Sequence, residues 1–199
     1  MKKKSEIHLS LQAQTIQCMI MKVCDIQTRI NELSYRSPED NKTATHLRDY
    51  WIVLVYGLYA DGTSSDDASL TKLAKSINNP EVLRSSLRDS DCADFMVEQV
   101  TKHMKQTKQI SNKMKAFADR RHELVHASTA IRNRQKHDYN PYHNISPSLV
   151  EDILKNLLTW WNAIEQTYNF GPPKKYWYEV GDELDSNLKL CKQQEYPND

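Results

Sequence analysis

The chain of 199 residues has little glycine, little net charge and no long apolar run. Only four glycines are present, which argues against a β fold rich in tight turns and favours helices. The net charge is +1, so there is no overall basic field of the kind that attracts nucleic acids, although a local basic site remains compatible with it. The length suits one domain with a substantial core.

The sequence also has no Cys-x-x-Cys spacing and no apolar run after its N-terminal lysines. The spacing of Cys18, Cys24, Cys92 and Cys191 is typical of reduced thiols rather than of a disulfide framework. The N-terminal lysines are followed by polar sequence, so we expect no secretory signal. The most apolar run, residues 51–60, is about half of the ~20 residues that a membrane-spanning helix needs. We therefore expect a cytoplasmic protein with no membrane partner.

Apolar residues recur at steps of three and four along most of the chain, which predicts amphipathic helices. Ser146-Pro147-Ser148 signals the start of the last of these helices, and Ser148 and Glu151 have the spacing of a capping box there. We predict an all-α fold: a helical bundle of about five main helices in residues 1–171, with a short C-terminal extension in residues 172–199. The predicted helices cover residues 16–33, 47–58, 70–77, 80–87, 90 to the segment near 121, and 148–164.

One predicted helix contains a conflict between its pattern and its residues. The apolar seam of the helix that begins near Ser90 reaches Phe117 and next falls on Arg121 and Leu124. Because burial of an unpaired charge is costly, we expect Arg121 to be paired, to extend to solvent, or to face a cleft or partner. Such conflicts tend to mark functional sites.

The segment from Arg121 to His126 carries two chemical signatures. The spacing His122-Glu123-x-x-His126 is that of a zinc metallopeptidase helix, in which two imidazoles bind the metal and the carboxylate activates water. The context argues against this interpretation, because Arg120 and Arg121 place two cations beside the would-be dication. We therefore assign no metal here and keep the zinc peptidase as the less favoured alternative.

The same segment also resembles the motif of the HEPN superfamily. That motif is an arginine, a polar residue, three further residues and a histidine on a helix of an all-α domain, which Arg121, His122 and His126 match. Arg120 satisfies the looser spacing, and the resemblance extends over residues 5–170. It implies a metal-independent endoribonuclease without a cofactor, in phage defence or in a toxin or stress response. It also implies RNA products that end in a 2′,3′-cyclic phosphate and a 5′-hydroxyl.

Metal-free RNA cleavage assigns different tasks to the histidine and the arginine. The 2′-hydroxyl of the substrate is the nucleophile, so a group that titrates near neutral pH must move protons, and histidine suits this task. A planar guanidinium binds the phosphate through two oxygens and stabilises the charge that develops there. We therefore predict that Arg121 and His126 are catalytic and that His122 supports them.

The spacing of the motif also predicts an oligomeric state. Positions five apart diverge by about 140° around an ideal helix, so Arg121 and His126 do not converge within one helix. A two-fold dimer would bring two such helices together over one cleft, as the HEPN resemblance implies. We therefore expect a homodimer that binds RNA. Because a toxin-like nuclease needs control, we also expect an antitoxin or regulatory protein as a partner.

A second match to the motif begins at Arg132 and ends at His137, in a polar stretch without the apolar residues of a packed helix. We rank it behind the first match. Together with Arg120, the residues Arg132, Arg134 and His137 are predicted to bind RNA. Tyr139, Tyr142 and His143 are candidates for stacking on bases. The alternative for this stretch is a solvated connector. For the whole chain, the main alternative function is a non-catalytic helical interaction module.

Overall fold

The computed structural model describes residues 4–33, 37–60, 69–77, 91–125 and 145–167, together with residues 142 and 186. The regular structure in this part of the chain is entirely α-helical, which confirms the predicted fold class. None of the described helices has the length and apolar content needed to cross a membrane. The helix predicted over residues 80–87 lies outside the described residues. The C-terminal extension also lies outside them, apart from residue 186. Within the described ranges, six helices are present: α1 (Lys4–Glu32), α2 (Pro38–Tyr59), α3 (Leu70–Ile77), α4 (Asp91–Asn112), α5 (Lys115–Val125) and α6 (Pro147–Thr167).

The core forms between two helix pairs, α1 with α2 and α4 with α6, which α3 and the contact of α1 with α6 join, and α5 packs against α2. The apolar seam predicted for α1 is buried, since Ile16, Val23 and Ile30 are all less than 9% exposed. The large core side chains of α6 include Trp160 and Trp161, both almost completely buried. Burial of a large apolar side chain contributes about 1.5–3 kcal/mol, so these faces hold the helices together.

The prediction of one long helix from residue 90 onwards is wrong, because the structure contains two helices there, α4 and α5. Lys113 and Met114 form a turn between them, in which their backbone N–H groups donate to residues three positions earlier at 2.8 and 3.1 Å. This tighter spacing shifts the phase of the following helix. The inward face of α5 therefore carries Phe117, Arg120 and Glu123, and Arg121 lies on the exposed side.

The start of α6 confirms the predicted signal at Ser146-Pro147-Ser148, but the capping residue differs from the predicted one. Ser146 precedes the helix, and its Oγ accepts a hydrogen bond from the backbone N–H of Leu149 at 3.2 Å, the pattern of an N-cap. Pro147 follows as the first helical residue, where its missing N–H has no cost. The predicted capping box at Ser148 and Glu151 is therefore wrong. The capping residue is Ser146, two positions earlier, because the helix already begins at Pro147.

A buried hydrogen-bond network joins α2, α4 and α6. Asn156 Oδ1 accepts from the Tyr59 hydroxyl at 2.8 Å and lies 3.2 Å from Thr107 Oγ1. The indole Nε1 of Trp160 donates to the same Thr107 oxygen at 3.0 Å. The Thr107 hydroxyl also lies 3.1 Å from the backbone oxygen of His103, so its single proton serves two acceptors. Three helices therefore depend on one another's polar groups inside the core.

Candidate functional site

Arg120 lies in a buried ion-pair cluster that fixes α5 to α2. Its Nε and Nη2 donate to the two carboxylate oxygens of Asp49 at 2.8 and 2.7 Å, and its Nη1 donates to Glu123 Oε2 at 3.2 Å. The side chains of Arg120, Asp49 and Glu123 are 11%, 14% and 6% exposed, respectively. Two parallel bonds to one carboxylate form the strongest geometry available to an arginine. This arrangement argues against the predicted RNA-binding role of Arg120.

Tyr142 completes this cluster. Its hydroxyl donates to Asp49 Oδ1 at 2.9 Å, and the guanidinium carbon of Arg120 lies 5.4 Å from the centre of its ring. Burial, and then the hydrogen bond and charge of Asp49, raise the pKa of Tyr142 to about 12, although Arg120 opposes the change. Burial alone would lower the pKa of Arg120, but the bonds and charges of Asp49 and Glu123 outweigh it and raise this pKa. The tyrosine predicted to stack on bases is therefore a structural part of the cluster.

Arg121 and His122 face away from the cluster and are exposed. Consecutive residues of a helix point about 100° apart, so Arg121 leaves α5 in a different direction from Arg120. Its guanidinium carbon lies 5.3 Å from the centre of the Tyr56 ring, within the range of a cation–π contact. The aromatic ring of α2 thus supports a cation at the surface, beside an exposed histidine.

The structure separates the two neighbouring arginines and leaves other predicted site residues undescribed. His126, Arg132, Arg134 and His137 lie outside the described residues, since α5 is followed only to Val125. The described part of the motif is therefore Arg121 and His122. No pattern in the sequence distinguishes Arg120 from Arg121, because the partner of Arg120 is 71 positions away.

The position of Glu123 bears on the zinc-peptidase interpretation. A carboxylate that activates a metal-bound water must face the metal, on the same open side as the histidine ligands. Glu123 is instead 7% exposed and paired with Arg120 on the inward face of α5, whereas His122 is exposed. The geometry of Glu123 therefore disfavours a zinc peptidase.

A cavity of about 450 Å³ opens between α1, α2 and the start of α6, and Tyr142 lines it. Its polar wall contains Arg48 and the amides Gln27 and Asn31, which are joined by a hydrogen bond of 3.1 Å. The sequence gives no signal for this site, because the lining residues come from separate segments.

Comparison with models of known protein families gives no match, and comparisons with curated proteins and with solved structures give no significant match. Function is therefore inferred from the residues of this chain and from the motif resemblance.

Proposed function

We propose that this chain is a metal-independent endoribonuclease of HEPN type, in which Arg121 and His126 are catalytic and His122 supports them. The observation that supports this proposal is the different environment of two adjacent arginines. Arg120 has most of its donors engaged in the core, whereas Arg121 presents its guanidinium at the surface beside His122. An arginine held on an aromatic ring keeps its planar fork accessible to a phosphate. This difference supports Arg121, rather than Arg120, as the arginine of the motif.

In the proposed reaction, the 2′-hydroxyl of the RNA attacks the adjacent phosphorus and breaks the bond to the 5′-oxygen. His126 takes the proton from the 2′-hydroxyl and delivers it to the departing 5′-oxygen, which leaves as a hydroxyl. Arg121 binds the non-bridging oxygens, on which charge increases in the transition state. The products are a 2′,3′-cyclic phosphate and a 5′-hydroxyl, and neither a metal nor a cofactor takes part. The cellular role implied by the resemblance is a cytoplasmic one in phage defence or in a toxin or stress response.

The proposal includes a homodimer, in which two α5 helices face each other across a cleft that binds RNA. The exposure of Arg121 and His122 is compatible with this arrangement, since both are presented away from the core of their own chain. Light scattering at the concentration of the activity assay measures the oligomeric state, and a monomer that cleaves RNA would contradict the composite site. An antitoxin or other regulatory protein is the further partner that such an enzyme requires.

The decisive experiment is RNA cleavage in excess EDTA, with analysis of the product ends. We expect cleavage by the wild type and a loss of about 10²–10⁴-fold in His126→Ala, because proton transfer contributes that much. Arg121→Ala should lose about 10²–10³-fold, the typical effect of removing one group that stabilises transition-state charge. Arg29→Ala is the matched control, because this arginine is exposed on α1 and pairs with Asp25 one helical turn away. Equal activity in all four proteins would refute the proposed site.

One observation favours a second candidate, a helical interaction module without catalysis. The helices α2 and α5 pack against each other, and each exposes a large apolar side chain. Tyr50 is 49% exposed and Leu124 is 41% exposed. A wild-type protein that is folded and dimeric, yet cleaves no RNA from total cellular extracts, would favour this candidate.

A further inference from the structure

The cavity between α1, α2 and α6 has the size and the walls of a small-molecule site. Its volume of about 450 Å³ lies within the range of about 300–1,000 Å³ that is typical of ligand pockets. Such sites combine an apolar lining with a few polar groups that fix the orientation of the ligand. The apolar part of the lining includes Ile30, Trp51, Ile52, Ile145, Pro147 and Val150.

The polar groups are gathered around Arg48 and Tyr142. The guanidinium carbon of Arg48 lies 6.0 Å from the centre of the Tyr142 ring, so the arginine rests beside an aromatic wall. A guanidinium has five N–H donors and binds a carboxylate through two of them. Gln27, which is 8% exposed, donates through Nε2 to Asn31 Oδ1 at 3.1 Å and adds an amide surface to the α1 wall.

The charge of the lining limits the class of ligand. Among the lining residues that the structure describes, Arg48 alone carries a charge at neutral pH. Its planar guanidinium matches the two oxygens of one carboxylate, so a carboxylate is the ligand group that this wall suits. The apolar lining on the other walls excludes a small hydrophilic anion, which would lose its hydration without compensation.

We infer that this cavity binds a small amphipathic acid, with a compact aromatic or branched apolar body and a single carboxylate. The body occupies the space between Ile52 and Val150, and the carboxylate pairs with Arg48. Among the described residues that line the cavity, neither Arg121 nor His122 is present, so the proposed ligand is not a substrate held by these two residues. Tyr142 links the two regions, because it lines the cavity and also donates to Asp49 in the cluster that fixes α5.

The test uses the full chain and two probes that share one body, 1-naphthoate and the neutral 1-naphthalenemethanol, with affinities measured by titration calorimetry. We expect one naphthoate per chain, bound at least about tenfold more tightly than the alcohol, the scale of a charge-assisted bond. Arg48→Gln should weaken naphthoate to the affinity of the alcohol and leave the alcohol unchanged. Lys108→Gln removes an exposed cation of α4 outside the cavity and should change neither affinity.

A second pair of variants tests the location of the site. Val150→Trp should fill the cavity and remove binding of both probes, and Ile145→Trp does the same from the neighbouring wall if the first variant fails to fold. Circular dichroism checks the fold of each variant. The proposal is overturned if neither probe binds to the wild type at millimolar concentration. It is equally overturned if both bind alike, or if folded Arg48→Gln retains the preference for naphthoate.

Discussion

Tyr142 has two charged neighbours with opposite effects on its phenol. The Asp49 carboxylate accepts the phenolic proton in a hydrogen bond of 2.9 Å, so an ionised phenol would place a second anion beside it. The Arg120 guanidinium near the ring favours the ionised form. Burial and Asp49 prevail, and the pKa of Tyr142 rises to about 12. The protonated phenol is thus part of the folded state.

This pKa predicts how stability changes at alkaline pH. A tyrosine in the unfolded chain has a pKa of about 10, so between about pH 10 and 12 the folded state holds a proton that the unfolded state has lost. The contribution of the protonated Tyr142 to the free energy of unfolding is complete below about pH 10 and is lost as the pH rises through about 12. We expect urea denaturation to show a pH dependence in this window that is smaller in Tyr142→Phe by at most about 1.4 kcal/mol per pH unit.

The matched control for the loss of a hydroxyl is Tyr50→Phe, which alters an exposed tyrosine of α2 next to Asp49. At neutral pH, Tyr142→Phe should itself cost about 1 kcal/mol, the typical contribution of one hydrogen bond. The same alkaline slope in Tyr142→Phe and in the wild type would show that the phenol does not retain its proton in the folded state.

At the residue scale, the sequence identified a conflict but assigned it to the wrong arginine. The apolar seam placed Arg121 on the buried face, whereas the structure buries Arg120 and exposes Arg121. The sequence could not show this, because the carboxylate that makes burial tolerable belongs to Asp49 on another helix. Long-range ion pairs leave no periodic signal along the chain.

The connection between α4 and α5 shows the same limit for an element. The segment from Asn112 to Lys115 contains no glycine or proline, and asparagine, at Asn112, is a weaker helix-stop signal than either. The helix is nevertheless interrupted there, and Met114, which is 4% exposed, turns into the core. The burial of Met114 therefore contributes to this boundary, beyond the local signal of Asn112.

The attachment of α5 to α2 can be tested at its ion pair. Arg120→Ala leaves Asp49 and Glu123 without the cation between them, and breaking a buried pair in this way costs about 3–5 kcal/mol. Arg121→Ala removes an exposed side chain and should change the free energy of unfolding by at most about 1 kcal/mol. Chemical denaturation followed by circular dichroism measures both values. Equal stability of the two variants would contradict the structural role of Arg120.

At the scale of the whole molecule, the network around Thr107 links helices that are far apart in sequence. Thr107→Val retains the shape of the side chain but removes the oxygen to which the Trp160 indole donates. A buried donor without a partner costs about 1–3 kcal/mol, so we expect a loss of that size in the free energy of unfolding. Thr107→Ser retains the hydroxyl and should cost only about 0.8 kcal/mol, for one buried carbon. Valine as stable as serine at this position would contradict the role of the network.

The fold class could be predicted because the spacing of apolar residues within each helix indicates which face is buried. The spacing of Ile16, Val23 and Ile30 identifies the buried face of α1 without any knowledge of its partners. The cavity and the ion-pair cluster depend on which helices meet, and that information is spread over residues 27–150. The all-α bundle was therefore predictable, whereas the surroundings of Arg121 were not.

The two neighbouring arginines have a consequence for the evolutionary history of this chain. Arg120 is committed to a carboxylate on another helix, so in homologous sequences positions 49 and 120 should be replaced together. Arg121 has no such commitment to position 49 and should drift or persist with the histidines instead. A motif search that accepts either arginine would therefore confuse a structural position with a catalytic one. Correlated changes between positions 49 and 120 would identify the structural arginine.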